Sequence, residues 1–163
     1  MNMMGCCPPE GMRSLHIAWR SVVNRSNKGV FVNLSLNRES PDAIINAHTP
    51  DKGRLTATVK KPGDFYLRPP TWTTRSKVKA FRGDKEIPAV WYGDYIEFPN
   101  TAHGDILTIE YPVLTFKQTI QVAGGTYTYR WCGNTVIGVE PTASALPLFT
   151  GKAMRERHPG TRK

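Results

Sequence analysis

Two adjacent cysteines, Cys6 and Cys7, carry the most obvious reactive potential in this 163-residue chain. They stand immediately before Pro8-Pro9-Glu10, where a helical pattern begins. A thiolate just ahead of a helix meets the positive end of the helix dipole, which lowers its pKa and suits it to act as a nucleophile or a metal ligand. A closed tetrahedral zinc site needs four protein ligands and an open catalytic one needs three. Beyond the pair the chain offers only the distant Cys132 and four scattered histidines, with no Cys-x-x-Cys or His spacing of a self-contained site. Neighbouring cysteines close only a strained ring, and three is an odd count, so a disulfide framework is excluded. A reducing compartment, or cysteines with a chemical role, is the better reading.

The other chemical candidates are weaker. Asp94 and Glu97 invite comparison with the two carboxyl groups of a retaining glycosidase, which stand about 5 Å apart. Residues three apart on a strand point to opposite faces, so this pair cannot flank one bond and reads as solvent-side. His16 reads as a half-buried residue on a helix flank. There is no Gly-rich phosphate loop and no supported Ser–His–Asp arrangement. Trp72, Trp91 and Trp131, with the tyrosines, could stack on sugars, although the apolar neighbours of Trp91 favour core packing.

The formal charge of +9 raises the question of nucleic acid. Residues 1–29 hold four basic and one acidic side chain, and residues 151–163 hold five and one. The body, 30–150, has 13 basic and 11 acidic residues, a balance of only +2. A nucleic-acid-binding sheet carries its basic residues on the folded face among stacking aromatics. Here the excess sits at the two ends, which read as solvated, so no nucleic-acid partner is expected. No apolar run approaches the roughly 18 residues of a membrane span. The start, Met1 to Pro9, has neither the basic nor the apolar region of a signal peptide, so a cytoplasmic location is favoured.

Short strands make up the frame around these residues. Residues 8–25 read as a helix, with Met12, Leu15, Trp19, Val22 and Val23 on one apolar stripe. Residues 30–36 and 43–48 read as strands, joined by a polar connection over 37–42. The stretch 54–112 dominates: Leu55, Ala57 and Val59 alternate with Arg54, Thr56, Thr58 and Lys60, the period of a half-buried strand. Further strand candidates follow at 65–68, 77–81, 87–91, 95–98 and 106–111, separated by Gly, Pro and Asp. Strands this short at this spacing predict a β-sandwich. Residues 113–122, 126–130 and 135–139 continue the β pattern, and 151–163 reads as a mobile basic tail.

These residues also carry a resemblance. Cys6-Cys7-Pro8-Pro9-Glu10-Gly11-Met12-Arg13, then Gly29-Val30-Phe31-Val32-Asn33-Leu34 and Phe65-Tyr66-Leu67-Arg68-Pro69-Pro70-Thr71-Trp72 form one series. Gly93-Asp94-Tyr95-Ile96-Glu97 and Gly104-Asp105-Ile106-Leu107-Thr108-Ile109 extend it. Together they resemble the C-terminal part of the β-L-arabinofuranosidase-type glycoside hydrolases, family 127 and its relatives. The resemblance covers residues 6 to about 112 well. It implies an (α/α)-barrel catalytic domain followed by β-sandwich domains, with the cysteine pair at the end of the barrel in a zinc-thiolate site. It makes Cys6 the nucleophile of a retaining reaction, Cys6 and Cys7 zinc ligands, and residues 8–25 the last barrel helix. The remaining ligands, a glutamate and a third cysteine, and the general acid/base glutamate lie upstream in that family, and nothing precedes Met1 here.

The expected chain is therefore all-β: an antiparallel β-sandwich preceded by one N-terminal α-helix and followed by a flexible basic tail. Residues 1–28 would be the terminal helix of a missing barrel, 29–150 the sandwich and 151–163 the tail. The function implied is that of a glycoside hydrolase fragment, inactive alone, whose full enzyme acts on terminal arabinofuranosides and holds zinc that this chain does not bind tightly. Its partner would be carbohydrate, with self-association through the helix a further expectation. A free-standing carbohydrate-binding module and a basic nucleic-acid-associated protein are the rival readings. The module would need a solvent-facing aromatic platform from Trp72, Trp131 or the tyrosines.

Overall fold

A computed structural model describes residues 7–122 and 125–141. One helix, α1 (Cys7–Arg20), is followed by fourteen strands among the described residues. The first eleven are β1 (Val23–Ser26), β2 (Gly29–Val32), β3 (Arg38–Glu39), β4 (Ala43–Ala47), β5 (Arg54–Val59), β6 (Gly63–Leu67), β7 (Lys79–Arg82), β8 (Lys85–Ile87), β9 (Trp91–Tyr92), β10 (Tyr95–Thr101) and β11 (Ile106–Glu110). They form two sheets, in the orders β1-β2-β6-β10-β9 and β3-β4-β5-β11-β7-β8. Every pairing is antiparallel except β2 with β6, which runs parallel. The fold is all-β with a single N-terminal helix.

The alternation read from the sequence builds the core. Val30, Val32, Phe65, Leu67, Ile96 and Phe98 from the first sheet meet Ile45, Leu55, Ala57, Val59, Ala80, Leu107 and Ile109 from the second in one buried cluster. Each of these side chains is at most 1% exposed. Burying a large apolar side chain contributes roughly 1.5–3 kcal/mol, so these residues hold the two layers together. The hairpins β7–β8 and β9–β10 each turn on a two-residue loop, Gly83-Asp84 and Gly93-Asp94. In both, glycine takes the first position, with φ of 59° and 60°, a conformation that a side chain disfavours.

Three sequence expectations need correction. The helix ends at Arg20 rather than at residue 25. Val22 and Val23 do not extend its apolar stripe: they are 0% and 7% exposed, and Val23 pairs with Val32 in the first sheet. β-branched valines lose side-chain freedom in a helix and gain burial in a strand, so tertiary packing decides their state. Residues 87–91 do not make one strand. Ile87 ends β8 in one sheet and Trp91 begins β9 in the other, with Pro88, which lacks an N–H for a ladder, between them. The polar connection over 37–42 contains β3, and Ser40 is buried there: its Oγ donates to the Ala43 carbonyl at 2.9 Å and accepts from the Ala43 amide at 3.0 Å.

The chain divides into two compact units, Met1–Pro112 and Val113–Lys163. The division falls inside the span 29–150 expected to form the sandwich. In the second unit β12 (Thr115–Val122), β13 (Gly125–Cys132) and β14 (Thr135–Glu140) make a three-stranded antiparallel meander. The expected tail, 151–163, lies outside the described residues.

Candidate functional site

Cys6, the nucleophile implied by resemblance, lies outside the described residues. Cys7 is the first residue of α1, one position before the helix start expected at Pro8, and its side chain also lies outside them. Among the described residues no three His, Cys, Asp or Glu side chains come close enough to share a metal ion. Two adjacent thiolates supply at most half of a tetrahedral zinc shell. Cys132 is half-buried in β13, in the other unit.

What the structure does show is how α1 is held and what it exposes. Met12, Leu15, Ile17 and Trp19 are 69%, 68%, 54% and 48% exposed. The last turn is tied to the sandwich by polar groups. Arg38 of β3 donates from Nη1 to the Trp19 carbonyl at 2.7 Å and to the Arg20 carbonyl, and its guanidinium lies 4.6 Å from the Trp19 ring centre. Asn33 Nδ2 donates to the Ser21 carbonyl at 2.8 Å, and the Asn33 amide to the Val22 carbonyl at 2.9 Å. Carbonyls at a helix C-terminus have no partner within the helix, and these donors supply one. No local pattern in 37–42 marks Arg38 for this role, because its partners are 18 and 19 residues away.

Asn33 continues the linkage into a row of aromatic rings on the outer face of the first sheet. Its Oδ1 accepts the Tyr95 hydroxyl at 2.9 Å. Tyr95 meets Phe31 edge-on at 5.2 Å, and Phe31 stacks on Tyr66 at 4.5 Å. Tyr66 is 5% exposed and donates its hydroxyl to Glu97 at 3.2 Å. Burial pushes the Tyr66 hydroxyl above its ordinary 10.0, helped by the bond to Glu97. Lys28 Nζ donates to the Tyr92 hydroxyl at 2.5 Å, which raises the lysine above 10.5. Phe31 and Tyr66 face one another rather than solvent, so this row packs on itself.

The expected sugar-stacking residues divide. Trp72 packs on the core and against Tyr111, edge-on at 5.7 Å. Trp91 also packs on the core, and the Arg75 guanidinium covers it at 4.6 Å. Arg75 is held in turn by Asp94 at 2.9 Å, which also receives Arg68 at 3.4 Å. Asp94 sits in the β9–β10 turn rather than on a strand, so the alternation of faces does not apply to it; it serves Arg75 and Arg68, while Glu97 accepts from Tyr66. A cleft of about 120 Å³ remains beside Trp91, Thr73 and Asp94. Trp131 stacks on Phe116 with ring centres 6.0 Å apart, in the second unit.

A larger open cleft of about 450 Å³ is lined by Lys52, Arg54, Lys77, Lys79, Glu110 and Tyr111. Its charges follow from sheet register, which places Glu110 opposite both Arg54 and Lys79. Arg54 pairs with Glu110 at 2.6 Å and Lys79 with Glu86 at 3.4 Å. Cross-strand pairs of this exposed kind contribute a few tenths of a kcal/mol to about 1 kcal/mol and define no reactive centre. Among the described residues no helix is long and apolar enough to cross a membrane.

No family model matches the chain, and no curated protein does. Among solved structures, the chain is similar in fold to a GH127 β-L-arabinofuranosidase from Geobacillus stearothermophilus T6. The TM-score is 0.60 at 18% identity, over 80% of this chain and 23% of that one. It is also similar to a protein described as a glycoside hydrolase, with a TM-score of 0.61 at 18% identity, over 81% of this chain and 25% of that one. The chain thus spans about a quarter of the length of each.

Proposed function

We propose that this chain is the accessory β-sandwich portion of a glycoside hydrolase of the β-L-arabinofuranosidase kind, without hydrolase activity of its own. The observation that carries this reading is the fold shared over four-fifths of this chain with a quarter of a GH127 enzyme, at a sandwich entered from one helix. The exposed Met12, Leu15, Ile17 and Trp19 on α1 support it, because they are the apolar surface that neighbouring barrel helices would cover. On this reading Cys6 is the nucleophile and Cys6 and Cys7 contribute thiolates to a zinc centre, the other ligands and the general acid coming from a barrel domain. The substrate class is a terminal arabinofuranoside, bound by the complete enzyme.

A chimaera tests this directly. The segment of the Geobacillus enzyme that matches this chain is replaced by it, and hydrolysis of an aryl β-L-arabinofuranoside is measured. The expected result is activity in the chimaera that Cys6→Ser abolishes, and none in this chain alone. A folded chimaera without activity, or one indifferent to Cys6→Ser, overturns the reading.

A further inference from the structure

We propose that the cleft lined by Lys52, Arg54, Lys77 and Lys79 binds a carboxylate-bearing oligosaccharide, one whose sugar rings carry uronate-type acid groups. The distribution of charge along the chain points there. Residues 30–150 hold 13 basic and 11 acidic side chains. Four of those basic residues and one acidic residue, Glu110, line this single cleft, a local balance of +3. The nine basic and ten acidic residues that remain balance at −1, so the whole positive excess of the body is gathered in one concavity. A concave wall of one sign focuses the field and raises the local concentration of the opposite charge.

The backbone fixes where these cations stand. Register sets Glu110 of β11 beside Arg54 of β5 and Lys79 of β7, so the three side chains share one side of the second sheet. Val78, 6% exposed, anchors the step from Lys77, which ends the turn Arg75–Lys77, to Lys79. Between Lys52 and Arg54 the chain is pressed against Tyr111. The Tyr111 amide donates to the Gly53 carbonyl at 2.8 Å, and a side chain at 53 would collide with the Tyr111 carbonyl. Arg54 is held by Glu110 at 2.6 Å and Lys79 by Glu86 at 3.4 Å, whereas Lys52 and Lys77 reach no carboxylate among the described residues.

Three anionic ligands compete for this cleft. A nucleic acid needs rings on which its bases stack. The one aromatic residue of the cleft, Tyr111, is 5% exposed, shares a hydrogen bond with the Thr49 hydroxyl and packs on Trp72. A phosphate group is held best by a free arginine fork, but the one arginine here is engaged by Glu110, and a dianion would be repelled by that carboxylate. A singly charged carboxylate is repelled less, and lysine ammonium groups receive it as point charges. Glu110 then offers an acceptor to ring hydroxyls. At about 450 Å³ the cleft suits a short oligosaccharide better than a lone ion. That the acid groups sit on sugars rests on the proposed carbohydrate function, whereas the preference for an anion belongs to the cleft alone.

Isothermal titration of the full chain with an oligogalacturonate, at about 20 and about 150 mM salt, tests this. Saturable binding is expected, weaker by several-fold at the higher salt, where the Debye length is about 8 Å. Pyrophosphate and a neutral arabino-oligosaccharide bind about 10-fold more weakly or not at all. Lys52→Gln and Lys77→Gln, both exposed positions, each lower the affinity about 2- to 5-fold, and the double variant about 10-fold. Lys61→Gln with Lys85→Gln, exposed lysines outside the cleft, removes the same charge and leaves binding unchanged, as does Lys152→Gln with Arg155→Gln. No binding at low salt, equal binding of pyrophosphate, or a loss shared by all three double variants overturns the proposal. The chimaera keeps the two readings apart. Oligogalacturonate bound through Lys52 and Lys77 beside an inactive chimaera removes the proposed function and leaves the anion site, while an active chimaera without such binding removes the anion site alone.

Discussion

The Arg38 guanidinium stacks 4.6 Å from the centre of the Trp19 ring while donating to the Trp19 carbonyl at 2.7 Å. One side chain of β3 thus caps the last turn of α1 and covers part of its aromatic residue. The arrangement holds the end of the helix to the sandwich while Met12 and Leu15 stay in solvent.

Replacing Arg38 by alanine leaves two terminal carbonyls to water and uncovers the indole. The expected loss is about 1–2 kcal/mol, between a charged hydrogen bond and a partly exposed cation–π contact. Lysine should rescue little of it, because it lacks the planar fork that serves two carbonyls and a ring together. Urea midpoints of the three proteins check this, and an unchanged midpoint in Arg38→Ala contradicts the capping role.

Tyr66 gives a pH dependence with a definite sign. Its hydroxyl is held above 10.0 by burial first and by the bond to Glu97 second. The folded chain keeps this proton over a window in which the unfolded chain has released it. Stability from this group is therefore full below about pH 10 and is lost as pH climbs through the raised folded value. Tyr66→Phe is expected to be the less stable protein near pH 8, where it lacks the bond to Glu97, and the gap should narrow by about pH 11. A gap that stays constant across that range rules the effect out.

Two glycines should respond in opposite directions. A Cβ on Gly53 would meet the Tyr111 carbonyl oxygen at 1.8 Å, and backbone cannot move aside cheaply. Gly53→Ala is expected to cost more than about 3 kcal/mol or to prevent folding. Gly11 has nothing within 4 Å of its would-be Cβ and lies inside α1. Gly11→Ala should raise helix content and add up to about 1 kcal/mol of helix stability. Circular dichroism and denaturant titration of the two variants decide the pair.

Zinc binding by the isolated chain should be weak. The two thiolates at 6 and 7 leave at least half of the shell to water, whereas structural zinc sites draw their affinity from four protein ligands. Equilibrium dialysis is expected to find no tightly held stoichiometric zinc. One zinc per chain, lost in Cys7→Ser, would mean that further ligands converge on the pair.

Much of this fold is legible because local chemistry and tertiary packing agree. The alternation of Leu55, Ala57 and Val59 survives as one buried face, and Gly83-Asp84 and Gly93-Asp94 turn where the sequence places turns. The sequence misleads where a residue's state depends on partners far along the chain. Ile87 and Trp91 sit in one apolar run yet belong to different sheets. Arg38 looks like any charged loop residue, and its partners lie on a helix read separately. The chemistry implied at Cys6 and Cys7 comes from resemblance to a longer enzyme, because a cysteine pair without its other ligands has no geometry to read.

The five apolar residues of the helical reading provide the sharpest remaining test. Met12, Leu15, Trp19, Val22 and Val23 fit one stripe in the sequence, yet the structure splits them. Leu15 is 68% exposed on α1, while Val22 is fully buried where the chain leaves the helix for the first sheet. If all five lay on one helix packed alike, truncating Leu15 would cost more than truncating Val22, since more methylenes leave the core. The structure reverses that order. Val22→Ala removes buried methyls and leaves a cavity, a loss of roughly 1–3 kcal/mol, whereas Leu15→Ala changes a wet side chain on a helix and should stay within about 0.5 kcal/mol. Alanine is also the better helix former, which offsets part of any lost contact at position 15. Urea midpoints of the two variants give the comparison. A larger loss for Leu15→Ala than for Val22→Ala would place the stripe in the core and remove the exposed helix face on which the proposed function draws.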